Sequence, residues 1–431
     1  MAFRVLLSLG AISSLCLSVT PAIAQDDTQV SVVHLLAELR ELKSTQAETT
    51  QKIEAIEQAL ITLQNGDIAS EVDAPPRIEE KRAVEGKALV HDATPRLAVS
   101  GDLRLRYEAN SGAADIRDRH RNAIRGRLRA KYALFDAIGI GAQLSTGDPG
   151  DPNSADVTLG DFADDFQVSL DQYYVSANFG SLSLSAGKFP QPFNHTDMVW
   201  DGDVSPAGFV ASYAVKTGGI SFKLTGLYSP IDESAGGPDS SMLGGQLRLS
   251  TVQKALEFGA AVGFYDYRLR SLDGADAGDF RTNLLDPGGR YLSDFDLLDT
   301  IVWIKYSGLG EEWPVSLTGN YVKNLGAAVS ADSGASFELL VGRSSVMGDW
   351  RFGYGYSESE VDAVLAAFSN DNLPIGTNYK LHAFTLDHAI NTGFLFSLWW
   401  YHYRQLDSTY PVLSSPLDWQ DRIRAGLTFS F

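Results

Sequence analysis

From Arg96 to Phe431 apolar and polar residues alternate almost without interruption, and this period of two constrains the chain more than any other feature. A helix would group apolar residues at spacings of three and four, whereas alternation puts two sets on opposite faces of a β-strand. "LAVSGDLRLRYEA" (97–109) sets Val99, Leu103, Leu105 and Tyr107 against Asp102, Arg104, Arg106 and Glu108. "RNAIRGRLRAKYALF" (121–135) sets Ile124, Gly126, Leu128, Ala130 and Tyr132 against Arg125, Arg127, Arg129 and Lys131. The final "DRIRAGLTFSF" alternates Arg422, Arg424, Thr428 and Ser430 with Ile423, Leu427, Phe429 and Phe431.

About sixteen such runs follow one another, and short connections interleave strictly with long ones. The short ones lie around Ala137, Gly180, Thr217–Gly219, Val252–Ala255, Gly308–Trp313, Val346–Gly348 and Asn391-Thr392; 147–165, 189–206, 269–297 and 357–377 are among the long ones. A sandwich has no need of this rhythm. A transmembrane barrel does, with tight turns on one side and large loops on the other. The expected fold is therefore all-β, an antiparallel up-and-down transmembrane β-barrel. Its apolar faces would meet lipid and its polar faces would line a water-filled lumen. Arg104, Arg106, Arg125, Arg127, Arg129, Lys131, Arg422 and Arg424 would then form one cationic wall, because the first, second and last strands become neighbours on closure. Tyr107, Tyr132, Phe135, Tyr228, Trp303, Trp350 and Trp399 stand near strand ends, where interfacial girdles are expected. The runs at 166–179 and 378–389 leave their phase open.

Ahead of the barrel the chain reads as three further segments. Residues 1–24 carry Arg4, an apolar stretch from Val5 to Val19 and Ala22-Ile23-Ala24, the pattern of a secretory signal peptide. Cleavage there would remove Cys16, the single cysteine, and with it any thiol or disulfide chemistry. Losing Arg4 changes 35 basic against 54 acidic side chains to 34 against 54, a net charge of −20, which disfavours nucleic acid as a partner. Residues 25–65 hold heptads, with Val32, Leu39, Gln46, Ile53 and Leu60 at a and Leu35, Leu42, Thr49, Ile56 and Leu63 at d. This spacing predicts a periplasmic coiled coil roughly 50 Å long, and isoleucine at both a and d (Ile53, Ile56) leans toward three strands. Residues 66–95, with Pro75-Pro76 and Pro95, read as a linker to the barrel at 96–431.

The signal sequence, the alternating last strand and terminal Phe431 resemble a Gram-negative outer-membrane protein, in which such a C-terminus is similar to the signal read by the barrel-assembly machinery. The stretch "AGKFPQPFNHTDMVWDGDVSPAG" (186–208) resembles the inward-folded third loop of porins. Its Gly-Lys, Pro-Phe, Trp-Asp-x-Asp and Pro-x-Gly elements look like the proteobacterial putative-porin family, whose members carry an N-terminal coiled coil. The resemblance implies a pore with Asp197, Asp201 and Asp203 on a constriction loop facing the cationic wall. Phosphate-selective porins present lysines on that loop, whereas here Lys188 stands against three aspartates.

Catalytic signatures are missing: there is no G-x-S-x-G, H-E-x-x-H, P-loop or G-x-G-x-x-G. The histidines are dispersed without ligand spacing. Loop 147–165 carries six aspartates; it could hold Ca²⁺ or bridge lipopolysaccharide, and its plainer reading is a solvated external loop. The expected function is a porin, needing no cofactor and turning over no substrate, for passive diffusion of small hydrophilic solutes and ions. Its expected partners are outer-membrane lipid and lipopolysaccharide, the barrel-assembly machinery, two further copies in a homotrimer, and peptidoglycan within reach of the rod. The alternative is an envelope tether, with the barrel as anchor and the coiled coil as spacer.

Overall fold

The computed structural model describes residues 96–431 except 113–117, 164, 271, 273–280, 411, 412 and 414–416. The signal peptide, heptads and linker read from residues 1–95 lie outside the described residues. Seventeen strands form one sheet: β1 (Leu97–Ser111), β2 (Arg119–Phe135), β3 (Ile138–Thr146), β4 (Val157–Thr158), β5 (Val168–Phe179), β6 (Leu182–Lys188), β7 (Ala207–Thr217), β8 (Ile220–Asp232) and β9 (Ser240–Gln253), then β10 (Leu256–Arg268), β11 (Phe295–Tyr306), β12 (Val315–Asn324), β13 (Ser333–Gly342), β14 (Trp350–Ser359), β15 (Tyr379–Asn391), β16 (Phe394–Gln405) and β17 (Gln420–Ser430).

Sixteen of them are staves of a closed antiparallel barrel. β17 pairs with β1 from Asp102↔Ser430 to Ser111↔Asp421, which removes both sheet edges. The remaining strand, β4, pairs with β2 at Ile124↔Val157 and Ala123↔Thr158, continuing the wall beyond the short β3. The tight turns and both ends of the barrel chain gather at one end, the turn end; the long connections gather at the other, the loop end.

The alternation maps onto the two faces as the residue chemistry requires. Leu103, Leu105 and Tyr107 are exposed on the outside of β1, while Asp102, Arg106 and Glu108 are buried inside. In β5 the phase changes within the strand. Asp171 is unpaired between Leu144↔Leu170 and Gln143↔Gln172, and the extra residue lets Leu170 and Tyr173 both face outward. In β15, Tyr379, Leu381, Asp387 and Ala389 are buried within, and the intervening Lys380, His382, Phe384, Leu386 and His388 alternate outward.

The interior is not uniformly wet. Two connections fold into the barrel: 189–206, as expected, and 360–378, which spacing alone places outside. Gly187 and Gly208 are cross-strand partners at the neck of the first, both with positive φ (117° and 139°). A Cβ there would lie 2.3 Å from the Tyr173 carbonyl and 2.1 Å from that of Tyr228, so the neck closes only around glycine. Phe193, Met198 and Trp200 of the first loop pack with Val364, Leu365 and Phe368 of the second against Tyr265, Tyr267, Phe295 and Leu297 of the wall. Leu373 and Ile375 continue this contact onto Tyr379, Leu381, Tyr401 and Tyr403. Burial of these side chains, each contributing about 1.5–3 kcal/mol, holds both loops on that side of the lumen.

Two tryptophans expected in the outer girdles follow this interior packing instead. Trp303 lies on the inward row of β11 beneath the Arg248 guanidinium, 4.9 Å from its ring centroid, and Trp399 packs against the cluster around Tyr401. Tyr107, Tyr132, Phe135, Tyr228 and Trp350 are exposed on the outside.

Candidate functional site

Beside the apolar contact, β17, β1 and β2 bring arginines together by register. Glu108 stands directly between Arg424 of β17 and Arg121 of β2. It accepts from Arg121 Nε at 2.7 Å and from Arg424 Nε at 2.6 Å, with Arg422 Nε 3.7 Å away. Arg104 faces Arg125 directly across the β1–β2 pair, an arrangement that like charges destabilise unless acids are supplied. They are supplied from three places. Asp102 on β1 binds Arg125 (2.9 Å), Arg127 (2.9 Å) and Arg129 (3.3 Å). Asp156, just before β4, binds Arg104 (2.5 Å) and Arg106 (2.8 Å). Asp203 of the first inward loop reaches Arg127 (3.0 Å) and Arg125 (3.7 Å).

Arg104, Arg106, Arg125, Arg127, Arg129, Arg422 and Arg424 lie on one inward face of β17, β1 and β2. Lys131 lies on the same row of β2 toward the turn end and remains exposed. The expectation of unpaired charges opposing three aspartates across water is corrected, because Asp102, Glu108, Asp156 and Asp203 are bonded within the wall. Of the loop aspartates, Asp203 pairs with the wall, 3.0 Å from Arg127 Nη1. Asp201 turns to the second inward loop, accepting from the Asp203 N–H at 2.9 Å and the Asp371 N–H at 3.5 Å, while its own N–H donates to the Phe368 carbonyl at 2.9 Å. Asp197 lies 3.5 Å from Asn372 Nδ2.

The electrostatics of the loop acids follow from these positions. Burial raises the proton affinity of Asp156, but Arg104 and Arg106 outweigh it and hold the carboxyl below its ordinary value. Asp201 has no such cation: burial, with Asp371, Asp197 and Asp203 nearby, pushes its pKa well above the carboxylate range.

The second loop is tied across the lumen by polar groups aimed at its backbone. Arg281 donates to the carbonyls of Ala366 (3.0 Å), Ser369 (3.3 Å) and Asn370 (3.2 Å). Asn283 Nδ2 donates to Val361 and Val364, and Asn153 Nδ2 to Ala367. At its far end the Asn372 carbonyl accepts from Arg422 at 2.7 Å and the Asn372 side chain from Arg424 at 2.6 Å. Loop 147–165 is thus not wholly external, since Asn153 and Asp156 are buried in these contacts.

Two cavities border the arginine wall. One cavity of about 500 Å³ is lined by Arg127, Arg129, Lys131 and Lys188 together with Asp148, Asp151, Asp171 and Asp203, a formally balanced set. A second, of about 280 Å³, is lined by Arg106, Arg121, Arg281, Asp371, Arg422 and Arg424 among others.

Sequence reasoning found the arginines by their period of two. Asp102 and Glu108 stand at the same alternating positions of the first strand and were legible as their partners. Asp156 lies in an irregular loop with no periodic signal. The second inward loop had one, the apolar run "VLAAF" (364–368) inside a segment that spacing makes an exposed connection.

The comparisons with known proteins agree with this geometry. Residues 113–275 match the family described as Putative porin. The barrel of Pseudomonas putida OprB superimposes with a TM-score of 0.54 at 12% identity, over 78% of this chain and 94% of that one. The fold is that of a porin-like barrel. Two further solved structures are similar over 78% of this chain: OmpT, an outer membrane protein of Vibrio cholerae, in a trimer form (11% identity, 99% of that chain, TM-score 0.46), and a mutant of the Rhodopseudomonas blastica porin (10%, 100%, 0.42). No curated protein sequence matches. The exposed aliphatic rows make up the outer face of this porin-like barrel. The outward Lys380 and Arg404 lie at the loop-end rim, where cations on the lipid face cost far less than the ~2–4 kcal/mol of the midplane.

Proposed function

We propose that this porin barrel is a channel for passive diffusion of small hydrophilic solutes and ions, with a weak preference for anions. The observation that carries the reading is the asymmetry of the lumen. Apolar loop packing fills part of the lumen, and two cavities border a wall where Arg104, Arg106, Arg121, Arg125, Arg127, Arg129, Arg422 and Arg424 share Asp102, Glu108, Asp156 and Asp203. The smaller cavity on this wall is lined by five arginines against three aspartates, so permeating anions meet a cationic surface there despite the acidity of the whole chain.

In this reading Arg104, Arg106, Arg125, Arg127, Arg129, Lys131, Arg422, Arg424 and Asp203 line the path, while Asp197 and Asp201 fix the two inward loops beside it. Phe431 is the assembly signal: it is exposed at the turn end, and its backbone exchanges hydrogen bonds with Gly101. Residues 1–24 direct export, and 25–65 form a periplasmic coiled coil that holds three barrels together, joined through 66–95. Lipopolysaccharide surrounds the loop end.

Planar-bilayer recording of the full chain tests the channel itself. Discrete conductance steps that scale with bulk salt support passive diffusion; an inserted protein that gives no steps above leak contradicts it.

A further inference from the structure

The smaller cavity, about 280 Å³, differs from the rest of the lumen in what its walls offer. Five guanidinium groups line it (Arg106, Arg121, Arg281, Arg422, Arg424) against three carboxylates (Asp151, Asp156, Asp371), a formal surplus of two positive charges. Adding the two groups behind the lining, Arg104 and Glu108, leaves that surplus unchanged. The volume stands at the small end of ligand pockets, which run from roughly 300 to 1,000 Å³.

The donors are only partly used. Glu108 takes the Nε groups of Arg121 and Arg424, and Asn110 takes that of Arg422. Asn372 takes one Nη1 from each of Arg422 and Arg424. Among the described residues their Nη2 groups carry no bond, and the buried Arg106 Nε has no acceptor. Guanidinium groups held in place by other bonds are preorganised for oxygen pairs of carboxylate or phosphate. We propose that this cavity is a binding site for one small oxyanion bearing two negative charges, a dicarboxylate or a phosphate. The inference rests on the channel reading and sharpens it: solutes of this class would bind on their way along the wall instead of merely being admitted.

Isothermal titration of the full chain folded in detergent, at pH 8, tests the site with succinate, inorganic phosphate, acetate and glucose. The expected result is one saturable site per chain for succinate, phosphate or both, at least tenfold tighter than for acetate, and no heat from glucose. Binding by one dianion alone supports the site and identifies its chemistry. Arg121→Gln and Arg422→Gln should each weaken it about tenfold. Should either variant fail to fold, the wild type still decides, because affinity should fall as salt rises from 50 to 300 mM. No saturable dianion binding, equal binding of acetate, or binding of glucose would overturn the proposal. Conductance without saturable binding removes the site and leaves the channel; saturable binding without conductance does the reverse.

Discussion

Glu108 illustrates what individual residues do in this barrel. It has no exposed surface and bonds Arg121 and Arg424 while facing Arg422. Replacing it with Gln leaves three guanidinium groups around a neutral side chain. Breaking one partner out of a buried ion cluster costs about 3–5 kcal/mol. Glu108→Gln should therefore lower the free energy of unfolding in detergent by about 3 kcal/mol; a loss under 1 kcal/mol would mean the arginines repair themselves with water. Asp201 behaves in the opposite sense. Its carboxyl binds its proton more tightly in the folded barrel than in an unfolded chain, because of burial and the acids around it. The folded arrangement is consequently favoured most in acid, below an unfolded pKa of about 4, and loses that contribution as pH rises through the higher folded value. Asp201→Asn keeps the neutral form throughout. It should raise the melting temperature at pH 8 and flatten the pH dependence, and a lower melting temperature at pH 8 would count against this assignment.

At the scale of strands and loops, the alternation made the staves legible because lipid outside and water inside impose opposite chemistries on successive residues. It failed where those solvents were not the neighbours. Trp303, Trp399, Tyr379 and Leu381 point inward because protein fills that part of the lumen, and the β5 bulge at Asp171 erases the phase of its own strand. The candidate site was legible in its arginines for the same reason, and illegible in Asp156 and loop 360–378, whose positions depend on tertiary contact. That loop is the element with the largest expected effect on permeation. Arg281 alone holds three of its carbonyls, and a hydrogen bond to a charged group contributes about 1.5–3 kcal/mol. Arg281→Ala should release the loop intermittently, so single-channel records should show excursions to a level at least twice the wild-type conductance. Deleting 361–377 should make that level permanent. Unchanged conductance in the deletion would mean the loop does not obstruct the path.

On the scale of the molecule, we propose that assembly and selectivity belong to different parts of the chain. The heptads of 32–63 are expected to assemble three barrels, and a 25–66 peptide that stays monomeric at high concentration in the ultracentrifuge would rule this out. Ile53→Asp with Ile56→Asp should weaken trimers of the full protein by burying like charges in the seam. Selectivity is proposed to rest with the arginine wall. Charges a few ångströms apart in water exchange only about 1 kcal/mol each, more where the lumen narrows, and their sum is enough to bias ion entry severalfold. Salt should screen that bias. The most direct measurement is the reversal potential of the full chain in a planar bilayer under a dilute salt gradient. The expected result is a potential of weakly anion-selective sign, moved toward cations when Arg125, Arg127 and Arg129 are replaced together by Ser. A wild-type potential of cation-selective sign, or a triple variant that keeps the wild-type value at low salt, would contradict the arginine wall as the conducting surface.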